Sequence, residues 1–261
     1  MIKKIKKIAF WVIIITYIVV SMSFVKKRKS EVLCHDIKVS ILDSLSNGFI
    51  TEKDIEDFIL QPDMNVVGNP IYSINTKDIE ENLNKYSSVK NAEVFVDLGG
   101  NICVEIDQRN PIIRIVNKHG QSYYIDQEGV IMPLSNKYAS HVLIANGNIV
   151  EKFDFSKNQN ALNQNKTKQN IISDLYTLAK FIYKNEFWKS QIEQIYINKE
   201  HEFELVPRVG AHIIYMGDIY NYQEKFRNLK EFYLQGLNTV GWNKYVSINL
   251  KFENQVICTK R

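Results

Sequence analysis

The chain has 261 residues, of which 45% are hydrophobic, 24% charged and 11% aromatic, with only 11 Gly and 5 Pro. That composition excludes disordered, collagen-like and low-complexity chains and leaves enough apolar material for one or two folded domains. The net charge of +4 is local: eight of the 33 Lys and Arg lie in the first 29 residues, which hold no Asp or Glu, leaving 25 basic against 29 acidic side chains in a body with no electrostatic footprint for nucleic acid.

The first element expected is a membrane helix over residues 8–25, preceded by a cytoplasmic tail of residues 1–7. Ile8 to Val25 contains no formal charge, and its 18 residues would span about 27 Å as a helix, close to the hydrocarbon thickness of a bilayer. Lys3, Lys4, Lys6 and Lys7 precede the run, and Lys26, Lys27, Arg28 and Lys29 follow it. Four cations on each side leave the orientation open by charge alone. A cleaved signal peptide would carry a shorter apolar stretch ending in small residues, and Ser21-Met22-Ser23 is a poor version of that. Because a seven-residue tail cannot fold, the specific work is expected on the C-terminal side. Cys34 does not follow a small-residue lipidation motif, and Cys34, Cys103 and Cys258 are too dispersed for a disulfide framework.

Residues 35–108 read as a small β-α-α-β-β domain. Ile37, Val39 and Ile41 alternate as a strand. Two helix starts follow with one construction: Thr51 with Asp54, and Asn75 with Asp78, are spaced as capping boxes. Ile50 with Ile55, and Ile74 with Ile79, are spaced as hydrophobic staples. Pro62 and Pro70 bound the connection between the helices. Ala92, Val94 and Val96, then Ile102, Val104 and Ile106, form a hairpin. A three-residue loop at Leu98-Gly99-Gly100 pairs Val96 with Ile102 and puts both apolar sets on one face, whereas a two-residue loop would separate them.

This β-α-α-β-β order beyond a single N-terminal membrane helix resembles a POTRA domain. The run from Ala92 to Val96, and then Val104 to Ile112 with Gln108, Arg109 and Pro111 as a Gln-Arg-x-Pro step, resembles the POTRA exit of the FtsQ/DivIB bacterial cell-division proteins.

Residues 109–258 are expected to form a mixed, β-rich domain with amphipathic helices, similar to the FtsQ β-domain, so the fold class is α+β. Tyr123 to Ile131 reads as strand, turn and strand with Gly129 ending the turn. Residues 156–170 read as a polar loop or insert. Ile171, Leu175, Leu178 and Ile182 mark one amphipathic helix, and Phe226, Leu229, Phe232 and Tyr233 a second. Strands are expected at Ile192–Asn198, Glu202–Val206 and His212–Met216, with a last one from about Tyr245 to Cys258.

Catalytic signatures are missing. The sequence has no phosphate-binding loop, dinucleotide glycine fingerprint, nucleophile elbow or His-Glu-x-x-His helix, and its five His are dispersed. Asp126 and Glu128 flank a turn and are read as satisfying its backbone. No enzyme activity, cofactor, metal or small-molecule substrate is therefore expected. The last strand is either paired on both sides or an edge that a partner strand can join. On that strand Val246, Ile248, Leu250 and Phe252 are expected to face the core and Tyr245, Ser247, Asn249 and Lys251 the other side.

The resemblance favours the edge. It implies a divisome scaffold at the septum, single-pass in the inner (cytoplasmic) membrane with its bulk periplasmic, recruiting FtsB–FtsL-type proteins and other divisome components. By that resemblance the partner-binding residues are Tyr245, Ser247, Asn249, Lys251, Phe252, Asn254 and Gln255. Lys251 and Phe252 stand where the family has Arg and Tyr, so bidentate and hydroxyl contacts are lost there. Two other readings compete: a POTRA protein for export or outer-membrane assembly, and an anchored envelope hydrolase.

Overall fold

The computed structural model describes residues 10–21, 32–42, 48–61, 66–153 and 170–261. Residues 10–21 are helical (α1). The remaining residues of the expected 8–25 span, Pro62, and residues 156–169 of the polar stretch lie outside the described residues. The chain divides into two compact units, Met1–Gln108 and Arg109–Arg261.

In the first unit, β1 (Ile37–Ile41), α2 (Glu52–Ile59), α3 (Thr76–Leu83), β2 (Val89–Val96) and β3 (Ile102–Gln108) follow in order. β3 is central, parallel to β1 and antiparallel to β2. The hairpin register is Val96 opposite Ile102 and Val94 opposite Val104, with Gly100 at φ +82°. The apolar faces therefore coincide, and Ile102, Val104 and Ile106 are fully buried. Asp97 fixes the turn: it accepts from Asn101 through both side chain and backbone and pairs with Lys38 at 2.9 Å. These bonds hold its carboxyl well below the usual range.

The first helix start forms its capping box between Thr51 and Asp54. The second does not: Asn75 makes no side-chain cap hydrogen bond. Its ψ is 90°, against 158° at Thr51, so the side chain is carried off the line of the helical N–H groups. Ile55, Ile59, Ile79 and Leu83 are the buried stripes of the two helices. Each such side chain is worth about 1.5–3 kcal/mol when fully buried.

The second unit is one nine-stranded mixed sheet in the order β12-β11-β10-β9-β8-β7-β4-β5-β6. Its strands are β4 (Pro111–Val116), β5 (Ser122–Asp126), β6 (Ile131–Pro133), β7 (Leu143–Gly147), β8 (Ile192–Ile197), β9 (Phe203–Pro207), β10 (Ile213–Gly217), β11 (Tyr245–Asn249) and β12 (Ile257–Lys260). Helices α4 (Ile171–Lys184), α5 (Glu186–Gln191) and α6 (Tyr222–Glu231) cover the core, and α6 continues into a π-helical turn at Phe232–Leu237. Trp188, Phe226 and Tyr233 stack with centroids 4.9 and 5.8 Å apart, so α5 and α6 share an aromatic seam. The result is a mixed α+β chain with a small three-stranded unit and a larger β-rich one.

The Gln-Arg-x-Pro step has a physical role within each unit. Gln108 is fully buried, and its Oε1 accepts the Ile50 N–H at 3.0 Å, tying β3 to the approach of α2. Arg109 donates to Asp126 Oδ2 at 2.8 Å, while Asp126 Oδ1 accepts the Glu128 and Val130 N–H groups. Pro111 opens β4, the one place in a strand where a missing N–H costs least.

Candidate functional site

The residues expected to bind a partner cluster at the β10–β11–β12 end of the large sheet. β11 runs parallel to β10, with Ile214 opposite Ile248, and Leu250 N–H extends the ladder to the Tyr215 carbonyl at 2.9 Å. The expected continuous strand from Tyr245 to Cys258 is a correction: it breaks into two strands joined by a turn. Asn249 Oδ1 accepts the Lys251 N–H at 2.9 Å, and Asn254 adopts φ +57°, so short polar side chains reverse the chain. Returning as β12, the chain pairs antiparallel with β11, placing Ser247 opposite Thr259 and Asn249 opposite Ile257.

β11 is thus an interior strand, and the open edge passes to β12. Ile257 stands 44% exposed there. β12 carries no second strand neighbour among the described residues. The sequence signal for this break was present. Glu253, Asn254 and Gln255 interrupt the alternation with three consecutive polar residues.

The expected core face also holds only in part. Ile248 and Leu250 are buried, but Val246 is 39% exposed and Phe252 53%. Phe252 lies in the turn, past the end of β11, so strand parity no longer governs it. Tyr245, Ser247 and Asn249 are half-buried along β11, and Tyr245 packs its ring 5.9 Å from that of Phe232. Lys251, Phe252, Asn254 and Gln255 gather on the exposed turn.

Lys251 is not a free cation. It hydrogen-bonds Glu202, and that bond is the first cause holding the Glu202 carboxyl below its usual value. A cleft of about 230 Å³ opens beside the turn, lined by Asp218, Tyr220, Lys225, Leu250, Phe252 and Asn254. Lys225 is likewise occupied, by the Met216 and Asp218 carbonyls and Asp218 Oδ1 at 2.9–3.0 Å. With both lysines occupied, the turn exposes the Phe252 ring, the Glu253 carboxylate and the Asn254 and Gln255 side-chain amides.

The described residues hold no group of three or more His, Cys, Asp or Glu placed to bind a metal ion. His212 is buried beside Tyr233, whose hydroxyl is 2.9 Å from its Nε2, and desolvation lowers its pKa. Cys34, Cys103 and Cys258 are free thiols, and burial raises the pKa of Cys34 and Cys258. No helix among the described residues is long and apolar enough to cross a membrane.

Comparison with known proteins adds two matches. A family model described as "FtsQ/DivIB, C-terminal related" matches residues 110–259. The chain belongs to that FtsQ/DivIB family. A POTRA-like domain model matches residues 32–107 of this FtsQ/DivIB-type protein. Together they assign the two regions to a cell-division family and imply divisome interactions in general. No curated protein matches the chain.

Proposed function

We propose that this FtsQ/DivIB-type chain is a non-enzymatic divisome scaffold that recruits FtsB–FtsL-type membrane proteins by strand addition at the end of its large sheet. The open edge of β12 beside the Lys251–Gln255 turn is the observation that carries the reading. An edge strand supplies main-chain donors and acceptors for affinity, and the side chains beside it supply specificity. Phe252 and Ile257 are the exposed apolar groups there, with Asn254 and Gln255 as polar contacts. In this reading residues 8–25 tether the chain to the inner membrane, and the two folded units lie outside the cytoplasm at the septum. Several modest contacts on one tether then add through effective concentration.

The test is capture of an FtsB–FtsL-type pair by the full chain in mild detergent, beside Phe252→Asp and a variant ending at Gln255. Capture by the intact chain that both variants lose, while their folded cores survive, supports the reading. Equal capture by all three moves the site to another surface.

A further inference from the structure

The larger cavity of the second unit is remote from the β11–β12 turn in strand order, and the proposed recruitment does not use it. β4, β7 and β8 are adjacent and mutually parallel, so their first residues lie at one end of the sheet. A cavity of about 500 Å³ opens there. Its apolar floor is formed by Ile112, Leu143, Ala179 and Ile182. That volume is in the range of sites that take a small ligand or a few side chains of a peptide.

The charges around the cavity are unbalanced: Arg114, Lys189 and Arg208 line it, against the single carboxylate of Glu193. Lys189 is held over the Tyr183 ring at 4.8 Å, and Arg208 has no side-chain partner among the described residues. Arg114 is the preorganised group. Its Nε–H donates to Ser122 Oγ at 3.0 Å, and its guanidinium lies over the Tyr124 ring at 5.9 Å. Both terminal amino groups make no hydrogen bond among the described residues, so the fork is fixed at its root and free at its tip. A planar fork of this kind matches a carboxylate through two parallel bonds. The backbone supplies a further donor at the mouth. His141 lies on the irregular approach to β7, and its N–H has no partner among the described residues.

We propose that this cavity binds an acidic peptide segment of a partner protein, with a Glu or Asp carboxylate on Arg114 and an adjoining apolar side chain on the Ile112–Leu143–Ile182 floor. A polypeptide is the occupant because one cavity combines a carboxylate-matching fork, an unpaired main-chain donor at His141 and an apolar floor. This surface is separate from the β12 edge, and the two readings fail independently.

The test uses the full chain in detergent micelles with two fluorescein-labelled pentapeptides, Leu-Glu-Leu-Glu-Leu and Leu-Gln-Leu-Gln-Leu, followed by fluorescence polarisation. The acidic peptide should bind about tenfold or more tightly than its amide counterpart, as expected for one charge-assisted bidentate contact. Arg114→Gln should remove that preference, and Arg208→Gln, at an exposed site that cannot unsettle the core, should weaken acidic binding several-fold. Phe252→Asp should leave both affinities unchanged, which separates this site from the β12 edge. Equal binding of the two peptides, or an unchanged preference in both Arg variants, would overturn the proposal. Free glutarate competing as strongly as the peptide would also overturn it, by showing a small-dicarboxylate site.

Discussion

Replacing Asp126 by alanine should destabilise the second unit by about 3–5 kcal/mol, the cost of removing one partner of a buried ion pair. The carboxylate is buried, with Oδ2 2.8 Å from Arg109 Nη1, and Oδ1 accepts the Glu128 and Val130 N–H groups at 2.9 and 2.8 Å. Truncation strands a guanidinium whose side chain is only 16% exposed and leaves two turn amides without their acceptor. Each amide that water cannot reach adds about 1–3 kcal/mol. Glu128 Oε2, 3.4 Å from the same arginine nitrogen, offsets part of the loss, so the pair figure is the better total. Asp126→Asn keeps the turn acceptor but sets an amide against the guanidinium, and should cost about 1–3 kcal/mol. Urea unfolding of the full chain in mild detergent, followed by tryptophan emission, reads this directly because Trp188 is buried in that unit. The Arg109→Ala/Asp126→Ala double variant should show a coupling of about 0.5–3 kcal/mol. A loss below about 1 kcal/mol for Asp126→Ala, or strict additivity in the cycle, would refute the argument that this pair organises the start of the unit.

Three further outcomes follow from particular contacts. Gly147→Ala should cost about 3 kcal/mol or more, visible as a large drop in Tm, because backbone strain and a clash combine there. Its Cβ would lie 2.2 Å from the Ile197 carbonyl oxygen at φ +104°. Gly120→Ala is the control: at φ +79° with open space around it, it should lose only about 1 kcal/mol. Burial lowers the His212 pKa from its ordinary 6.5, so the unfolded chain binds the proton more readily than the folded one. Stability should therefore fall as pH drops below 6.5 and level off beneath the folded-state pKa, and His212→Gln should flatten that slope in Tm measured against pH. Phe252→Asp should leave the unfolding free energy within about 0.5 kcal/mol of wild type, as befits an exposed turn residue, while reducing partner capture.

The sequence was most informative where side-chain period and a turn constrained each other. Parity at Leu98-Gly99-Gly100 was enough to set the register of β2 against β3, since only one loop length puts Val94 and Val104 on the same face. The amphipathic helix at Ile171 was equally legible, because its stripe is long enough to fix the 3.6-residue period. Strands β4 and β7 were not legible. β4 (Pro111–Val116) begins with three consecutive buried residues, so both of its faces are covered there, and β7 (Leu143–Gly147) is five residues ending in Asn-Gly, so neither alternates cleanly; parallel neighbours also join them through distant segments. The failed capping box at Asn75 shows the same limit from the other side: spacing supplies a capping residue, but local ψ decides whether its side chain reaches the helix. The position of the sheet edge depended on a turn of five residues, and one polar cluster there moved the open strand from β11 to β12.

That move matters for mechanism because β11 cannot accept a new strand while both its neighbours are in place. The parallel pairing of β10 with β11 is reached through the α6 crossover and holds one side; β12 holds the other. A partner strand can then either add to β12 or displace it and pair with β11 itself. The two routes differ in one observable. Ser247 and Thr259 are directly opposed across β11 and β12, within the Cα separation that a disulfide tolerates. In a Cys258→Ser background, Ser247→Cys with Thr259→Cys should form a crosslink that locks β12 onto β11. Addition at the outer edge leaves the locked protein able to capture an FtsB–FtsL-type pair as well as the reduced form does. Displacement requires β12 to leave, so capture would appear only after reduction. The exposed Ile257 on β12 and the exposed Phe252 at the turn favour addition, since both offer apolar surface next to that edge with β12 still in place. Capture confined to the reduced protein would reverse that assignment and make β12 a removable cover on the β11 edge.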